Sequence, residues 1–210
     1  MERFIYLITW SVIQEIFRDN NYLKKYNLKK DDVVIDIGAN VGIFTLKVAK
    51  TIGRDGLCIA IEPDLSNFKL LEENTNKYNN VIRLQKAIGN KEGYVKLYLK
   101  TSLEHSIKRD YGMGYIICKM ETLDQIVEKL NLQKIDFIKI DVEGAEVEVL
   151  EGAKRTLFLF RPKLALEYHS IKDLHKIIKI LENLSIIMKY LVKNLNRLHL
   201  RLERVIMKMS

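Results

Sequence analysis

Proline and cysteine are scarce in this 210-residue chain, with two of each, and tryptophan occurs once. So little proline excludes collagen-like and polyproline architectures, and the lack of any low-complexity tract argues against a disordered tether. Cys58 and Cys118 lie inside apolar, strand-like runs, so buried thiols are expected and not a disulfide. No C-x-x-C or H-x-x-x-H spacing offers a zinc site. Missing too are an uninterrupted apolar run of membrane-spanning length and the charged start, apolar block and cleavage site of a secretory leader; a soluble, cytoplasmic protein is the expectation.

What is present is a 48% apolar composition, long enough for one well-packed core, with a formal charge of +8. The charge is uneven: Ile171 to Ser210 carries nine Lys or Arg against three acidic residues. That region reads first as a solvated basic face, because no aromatic stacking platforms interleave with it. Phosphate, an anionic membrane surface or nucleic acid are its alternative partners. Residues 1–26 place Ile5, Ile8, Val12 and Ile16 at helical spacing. They read as an N-terminal helical segment, either a lid over a cleft or packing against a sheet.

From Asp31 onward strands and helices alternate. Val33–Ile37, Leu57–Ile61, Val81–Gln85, Ile135–Ile140 and Lys163–Glu167 read as strands. Val41–Thr51, Asp64–Tyr78 (capped by Asp64), Leu123–Leu130, Ala145–Thr156 and Ile171–Leu184 read as helices. Extended runs at Tyr94–Leu99 and Tyr115–Lys119 flank a polar loop, Lys100–Gly114, expected to be mobile and to contact substrate. Ile186–Val192 and Leu202–Met207 are expected as a closing hairpin pair. This alternation is that of an α/β three-layer sandwich with a mostly parallel sheet of about seven strands.

The run D36-I-G-A-N-V-G42 ends the first strand and opens the first helix. Gly38 suits a positive-φ turn and Gly42 a close approach of the helix to ligand and sheet. Ala39 lies between them. The spacing is not G-x-G-x-x-G, and the lysine and hydroxyl of a phosphate loop are missing. Asp36 would repel a diphosphate and favour a cationic sulfonium or amino group. Glu62, followed by Pro63 at the end of the second strand, is placed to accept the two hydroxyls of a ribose. Together these point to an adenosine-containing cofactor; S-adenosylmethionine fits better than NAD, which remains open on these two features alone. Ala87, after the third strand, is expected beside the adenine.

A second acidic turn, I140-D-V-E-G-A-E146, should emerge beside the first. Asp141 is expected at the cofactor or orienting the acceptor, Glu143 and His169 near the reacting proton, and Glu146, Glu167, His105 and Ser106 toward the substrate. His169 is the best base by intrinsic pKa, with a structural histidine as the alternative. Asp141, Glu143, Glu146 and Glu167 would also suit magnesium, but a set that holds substrate hydroxyls has the same composition; a site without metal is expected.

At these residues the sequence resembles the FkbM-family methyltransferases, in VVIDIGANVGIFTL (Val33–Leu46), AIEPDLSNFKLLEEN (Ala60–Asn74), KAIGNKEG (Lys86–Gly93), ETLDQIV (Glu121–Val127) and IDFIKIDVEGAEVEVLEGA (Ile135–Ala153). The resemblance covers about Ile16 to His169 and implies a class I, Rossmann-like methyltransferase fold; the domain is expected over residues 27–210. The resemblance also implies a seven-stranded sheet and S-adenosylmethionine-dependent O-methylation of a hydroxyl on a small molecule, sugar or glycan. Asp36, Gly38, Asn40, Gly42 and Glu62 would then face the cofactor. ENLSIIMKYL departs from the family, with Leu184 and Ser185 where a glycine is common. Readings from other classes are a nucleic-acid methyltransferase steered by the basic C-terminal region, a nicotinamide-dependent oxidoreductase and a noncatalytic cofactor-binding module.

Overall fold

Five short strands build the centre of the molecule, and the three central ones are buried on both faces, as a parallel sheet between helix layers requires. In a computed structural model that describes residues 27–99, 105–108, 110, 112–168 and 170–184, they are β1 (Val33–Ile37), β2 (Leu57–Ile61), β3 (Val81–Leu84), β8 (Phe137–Ile140) and β9 (Lys163–Leu166). The expected helix over 1–26, the strands Ile186–Val192 and Leu202–Met207, the basic C-terminal run beyond Leu184 and His169 lie outside the described residues. The strands run parallel in the order β3-β2-β1-β8-β9. Growth of the sheet therefore reverses at β1, with β2 on one side of it and β8 on the other.

Alternation along the strands divides the core in two. Ile35, Ile37, Ile59, Ile61, Ile138 and Ile140 pack with α3 (Leu123–Lys129), α4 (Glu146–Glu151), α5 (Lys154–Phe160) and α6 (Ile171–Asn183). Val34, Cys58, Ala60 and Phe137 face α1 (Ile43–Ile52) and α2 (Leu65–Thr75). Asp36 and Lys139 share the parity of Val34 and Phe137, so both fall on the α1 side. The result is the expected three-layer sandwich. Both cysteines are buried free thiols, and burial pushes the Cys118 thiol up to about 11.

The cap read at Asp64 is present: it accepts the Asn67 N–H at 2.8 Å at the start of α2. Thr122 with Gln125 forms a reciprocal capping box on α3. The helix expected over Ala145–Thr156 instead breaks into α4 and α5. A Cβ on Gly152, between them, would lie 2.0 Å from the Gly89 carbonyl oxygen, so the backbone there is pressed against a neighbouring loop.

Tyr94–Leu99 and Tyr115–Lys119 do not join the main sheet. As β5 (Gly93–Leu99) and β7 (Tyr115–Glu121) they pair antiparallel in a second sheet, ordered β4-β7-β5-β6, with β4 (Ala87–Ile88) and β6 (His105–Ser106). Their residues alternate between buried Leu97, Cys118 and Met120 and exposed Tyr94, Tyr115 and Ile117. Such a one-faced pattern cannot be sandwiched between two helix layers. Among the described residues no helix is long and apolar enough to cross a membrane.

Phe137 is buried on β8 with its ring 6.4 Å from that of Phe44. Phe137→Ala is expected to cost about 3–5 kcal/mol in urea unfolding, against less than about 0.5 kcal/mol for Phe158→Ala on the exposed side of α5. Equal losses would contradict this assignment of the core.

Candidate active site

The ends of β1 and β8 diverge at the point where sheet growth reverses, which is where open α/β sheets leave a crevice for a ligand. A cleft of about 680 Å³, its open mouth included, lies there. Strand order arranges its lining: Lys86, Ala87 and Ile88 after β3, Glu62 and Pro63 after β2, Gly38 and Asn40 after β1, and Asp141, Val142 and Glu143 after β8. Leu97 of β5 and Ile107 close one wall.

The first turn is held by its own backbone. Gly38 and Ala39 donate their N–H groups to the Ile61 carbonyl, each at 3.0 Å. Gly38 has φ +77, and a Cβ there would lie 1.8 Å from the Asp141 carbonyl oxygen, so its missing side chain is space taken by the second acidic turn. Asn40, at φ +53, bonds its Oδ1 to the Val41 N–H at 2.7 Å and turns its own N–H onto Glu62 Oε2 at 2.8 Å. Gly42 does not approach the cleft: its missing Cβ makes room for Leu71 of α2.

Glu62 is 6% exposed yet lines the cleft. Its Oε1 accepts the Asp64 N–H at 3.0 Å, so backbone donors fix both oxygens while the carboxyl keeps acceptor capacity toward the cavity. Burial outweighs these hydrogen bonds and pushes its pKa up to about 7.

The second turn meets the first through Lys139. Its ammonium donates to Asp36 Oδ1 at 3.0 Å and to the Gly38 carbonyl at 2.9 Å, and lies 3.8 Å from Asp141 Oδ2. Burial alone would lower this lysine, but the Asp36 and Asp141 carboxylates outweigh it and hold its pKa above the ordinary value. Asp36 is fully buried, and its other oxygen accepts the Thr45 hydroxyl at 2.6 Å. Glu143 sits at φ +52, its carbonyl held by the Ser106 hydroxyl at 2.7 Å.

Of the residues expected at the site, Gly38, Asn40, Glu62, Pro63, Ala87, Asp141 and Glu143 meet in the cleft. Asp36, Ala39, Gly42, Ser106, Glu146 and Glu167 do not line it. Asp36 is fully buried and is the counter-ion of Lys139. Ala39 packs in the core. Ser106 is buried beneath Glu143, and Glu146 is buried with Oε1 accepting the Gly144 N–H at 2.9 Å. Glu167 is 7% exposed beside β8. Among the described residues no three His, Cys, Asp or Glu side chains gather into a metal-binding group.

Residues that sequence reasoning passed over are Lys139, Asn67, Leu97 and Ile107. A lysine inside the apolar strand FIKI was the available signal for Lys139. Lys86, at the cleft, is anchored by Glu121 at 3.1 Å. Burial would raise that carboxyl, but Lys86, Lys119 and Lys129 together hold it at about 2.

Comparison with known proteins agrees with this architecture. The chain is 28% identical over 203 residues to the AMB antimetabolite synthetase AmbE of Pseudomonas aeruginosa, covering 77% of this chain and 10% of that protein. It is 28% identical over 130 residues to the hexuronic acid methyltransferase AglP of Haloferax volcanii, covering 61% of this chain and 53% of that one. The chain thus spans a tenth to about half of these relatives' lengths. The structure resembles Aeropyrum pernix fibrillarin, solved with natively bound S-adenosyl-L-methionine, at TM-score 0.51 and 13% identity over 81% of this chain and 64% of that one; the likeness is one of fold. Residues 36–188 match the methyltransferase FkbM domain, and the chain belongs to that family.

Proposed function

We propose that the cleft binds S-adenosylmethionine and that the protein transfers its methyl group to a hydroxyl oxygen of a small molecule, sugar or glycan. The observation that carries this reading is Glu62: a carboxylate almost wholly buried, fixed by the Asn40 and Asp64 N–H groups, and still facing a cleft built on a glycine turn. A ribose diol offers the two donors that such an acceptor lacks. The cofactor, when bound, supplies an electrophilic methyl group on a sulfonium.

The lining fits that molecule in order along the sheet edge. Ala87, Ile88 and Leu97 offer an apolar slot for a base, Glu62 the ribose, and Gly38 with Asp141 the cationic end. Among the described residues at the cleft there is no nest of successive N–H groups with a lysine for a diphosphate, which weighs against a dinucleotide. Asp141 orients charge at the methyl end. Glu143, presented by a left-handed backbone that Ser106 holds, is the described carboxylate best placed to take the acceptor proton. His169, which follows β9 in the chain, is the other candidate base. The hexuronic acid methyltransferase among the relatives supports a sugar-type acceptor.

Ionised Glu62 accepts diol hydrogens and the protonated acid does not accept both, so with a pKa of about 7 affinity for S-adenosylhomocysteine is expected to rise with pH through neutrality and level off above it. Calorimetry should show this slope in the wild type, a flat and weaker profile for Glu62→Gln, and a loss of about a hundredfold for Glu62→Ala. Undiminished affinity in Glu62→Ala would remove the diol assignment.

The same group links stability to pH. Its folded pKa, about 7, is raised above the ordinary 4.5, so the folded protein holds more protons than the unfolded chain between those values. The ligand-free protein should therefore lose stability as pH rises through that window, by on the order of 3 kcal/mol, and Glu62→Gln should remove most of the slope. Urea midpoints at several pH values test it.

Glu143→Gln is expected to lower kcat by about a hundredfold with cofactor affinity unchanged. Label transferred from a tritiated methyl donor should be stable to mild alkali, as an ether is; alkali-released label would identify a carboxylate acceptor instead.

A further inference from the structure

The mechanism above uses the two turns but not the group that joins them. Lys139 lies at the register position opposite Asp36, in the interior of β8, with its side chain 4% exposed. Its ammonium reaches one element of each turn: the Gly38 carbonyl in the first, at 2.9 Å, and the Asp141 carboxylate in the second, at 3.8 Å. The two turns also touch directly where Gly38 lacks a Cβ, against the Asp141 carbonyl, and the Asp141 N–H donates to the Ile37 carbonyl at 3.1 Å. Asp36, wholly buried, balances the ammonium without reaching the cleft.

We propose that Lys139 is a positioning residue: through the Gly38 carbonyl and the Asp141 carboxylate it sets the separation of the two turns, and with it the fit of the amino-acid end of the cofactor, while the adenosine end is held independently. The inference rests on the cofactor reading above. Its physical content is that one charge does two separable things. Paired with Asp36 it keeps β1 and β8 neutral in their interior; shared with Gly38 and Asp141 it fixes the floor of the cleft. The groups facing it come from every neighbouring strand end: Asp36 on β1, Asp141 after β8, Glu167 after β9 and, more remotely, Glu62 after β2.

The two roles come apart in the double variant K139M/D36N, which removes both members of the buried pair together, so that neither is left in the strand interior without the other. Its thermal midpoint is expected to stay near that of the wild type. S-adenosylhomocysteine should bind about tenfold or more weakly, and 5′-methylthioadenosine, which lacks the amino-acid end, within about twofold of wild type. In the ligand-free protein, amide exchange read by mass spectrometry should be about tenfold faster over residues 38–42 and 141–144, with strand amides unchanged.

Wild-type exchange in both turns, or equal weakening of the two ligands, would overturn the proposal. The charge-conserving K139R keeps the core ionic and serves the same measurements if the double variant unfolds, because a guanidinium cannot reproduce the three contacts of one ammonium. Should the wild-type protein bind neither ligand, the cofactor reading fails; the exchange experiment still decides whether Lys139 holds the turns.

Discussion

One buried ammonium ties the two halves of the sheet together at the point where the chain reverses its direction of growth. Lys139 crosses from β8 to β1, hydrogen-bonds Asp36 and the Gly38 carbonyl, and lies within ionic reach of Asp141. A buried ion pair carries a desolvation cost that its mutual attraction offsets only when geometry and hydrogen bonding are good. Here Asp36 is completed by the Thr45 hydroxyl and Lys139 by a backbone carbonyl. The pair consequently does more than neutralise a strand interior: it fixes where the backbone leaves both strands.

That constraint explains the acidic character of the site. Asp36, Glu62, Asp141 and Glu167 stand at the carboxyl ends of four adjacent parallel strands, a concentration of like charge that would be self-repelling without a cation among them. The turns use these groups differently. Asp36 is buried as a counter-ion, Glu62 is buried but faces the cleft through its remaining acceptor capacity, and Asp141 lines the cleft. Burial and partners, not residue type, separate the three. Leu97 of the second sheet and Ile107 just after β6 then close the cleft, an apolar wall against the polar floor.

The main sheet is legible in the sequence because β1, β2 and β8 are short runs apolar at all but one position at most, each followed by a glycine- or acid-bearing turn. Glu62, Gly38 and Asn40 are legible for the same reason. What pattern alone does not carry are contacts made across the fold. Gly42 reads as a ligand-approach glycine, but it yields space to Leu71 of α2. Asp36 reads as a ligand carboxylate because its partner stands 103 residues away in sequence. Ser106 reads as a substrate contact in a surface loop, whereas it is buried against the Glu143 carbonyl. The split between α4 and α5 falls where Gly152 packs against Gly89, a contact that no periodicity encodes. The second sheet is separable in principle, since β5 and β7 alternate as one-faced strands do.

In the proposed complex a ribose sits on Glu62 and a cationic amino-acid end lies between Gly38 and Asp141. A crystal structure with S-adenosylhomocysteine bound tests this most directly. The expected result has both ribose hydroxyls on the Glu62 carboxylate and the amino-acid end at the junction of the two turns over Lys139. A ligand seated elsewhere, or bound in this cleft with its ribose away from Glu62, would contradict it.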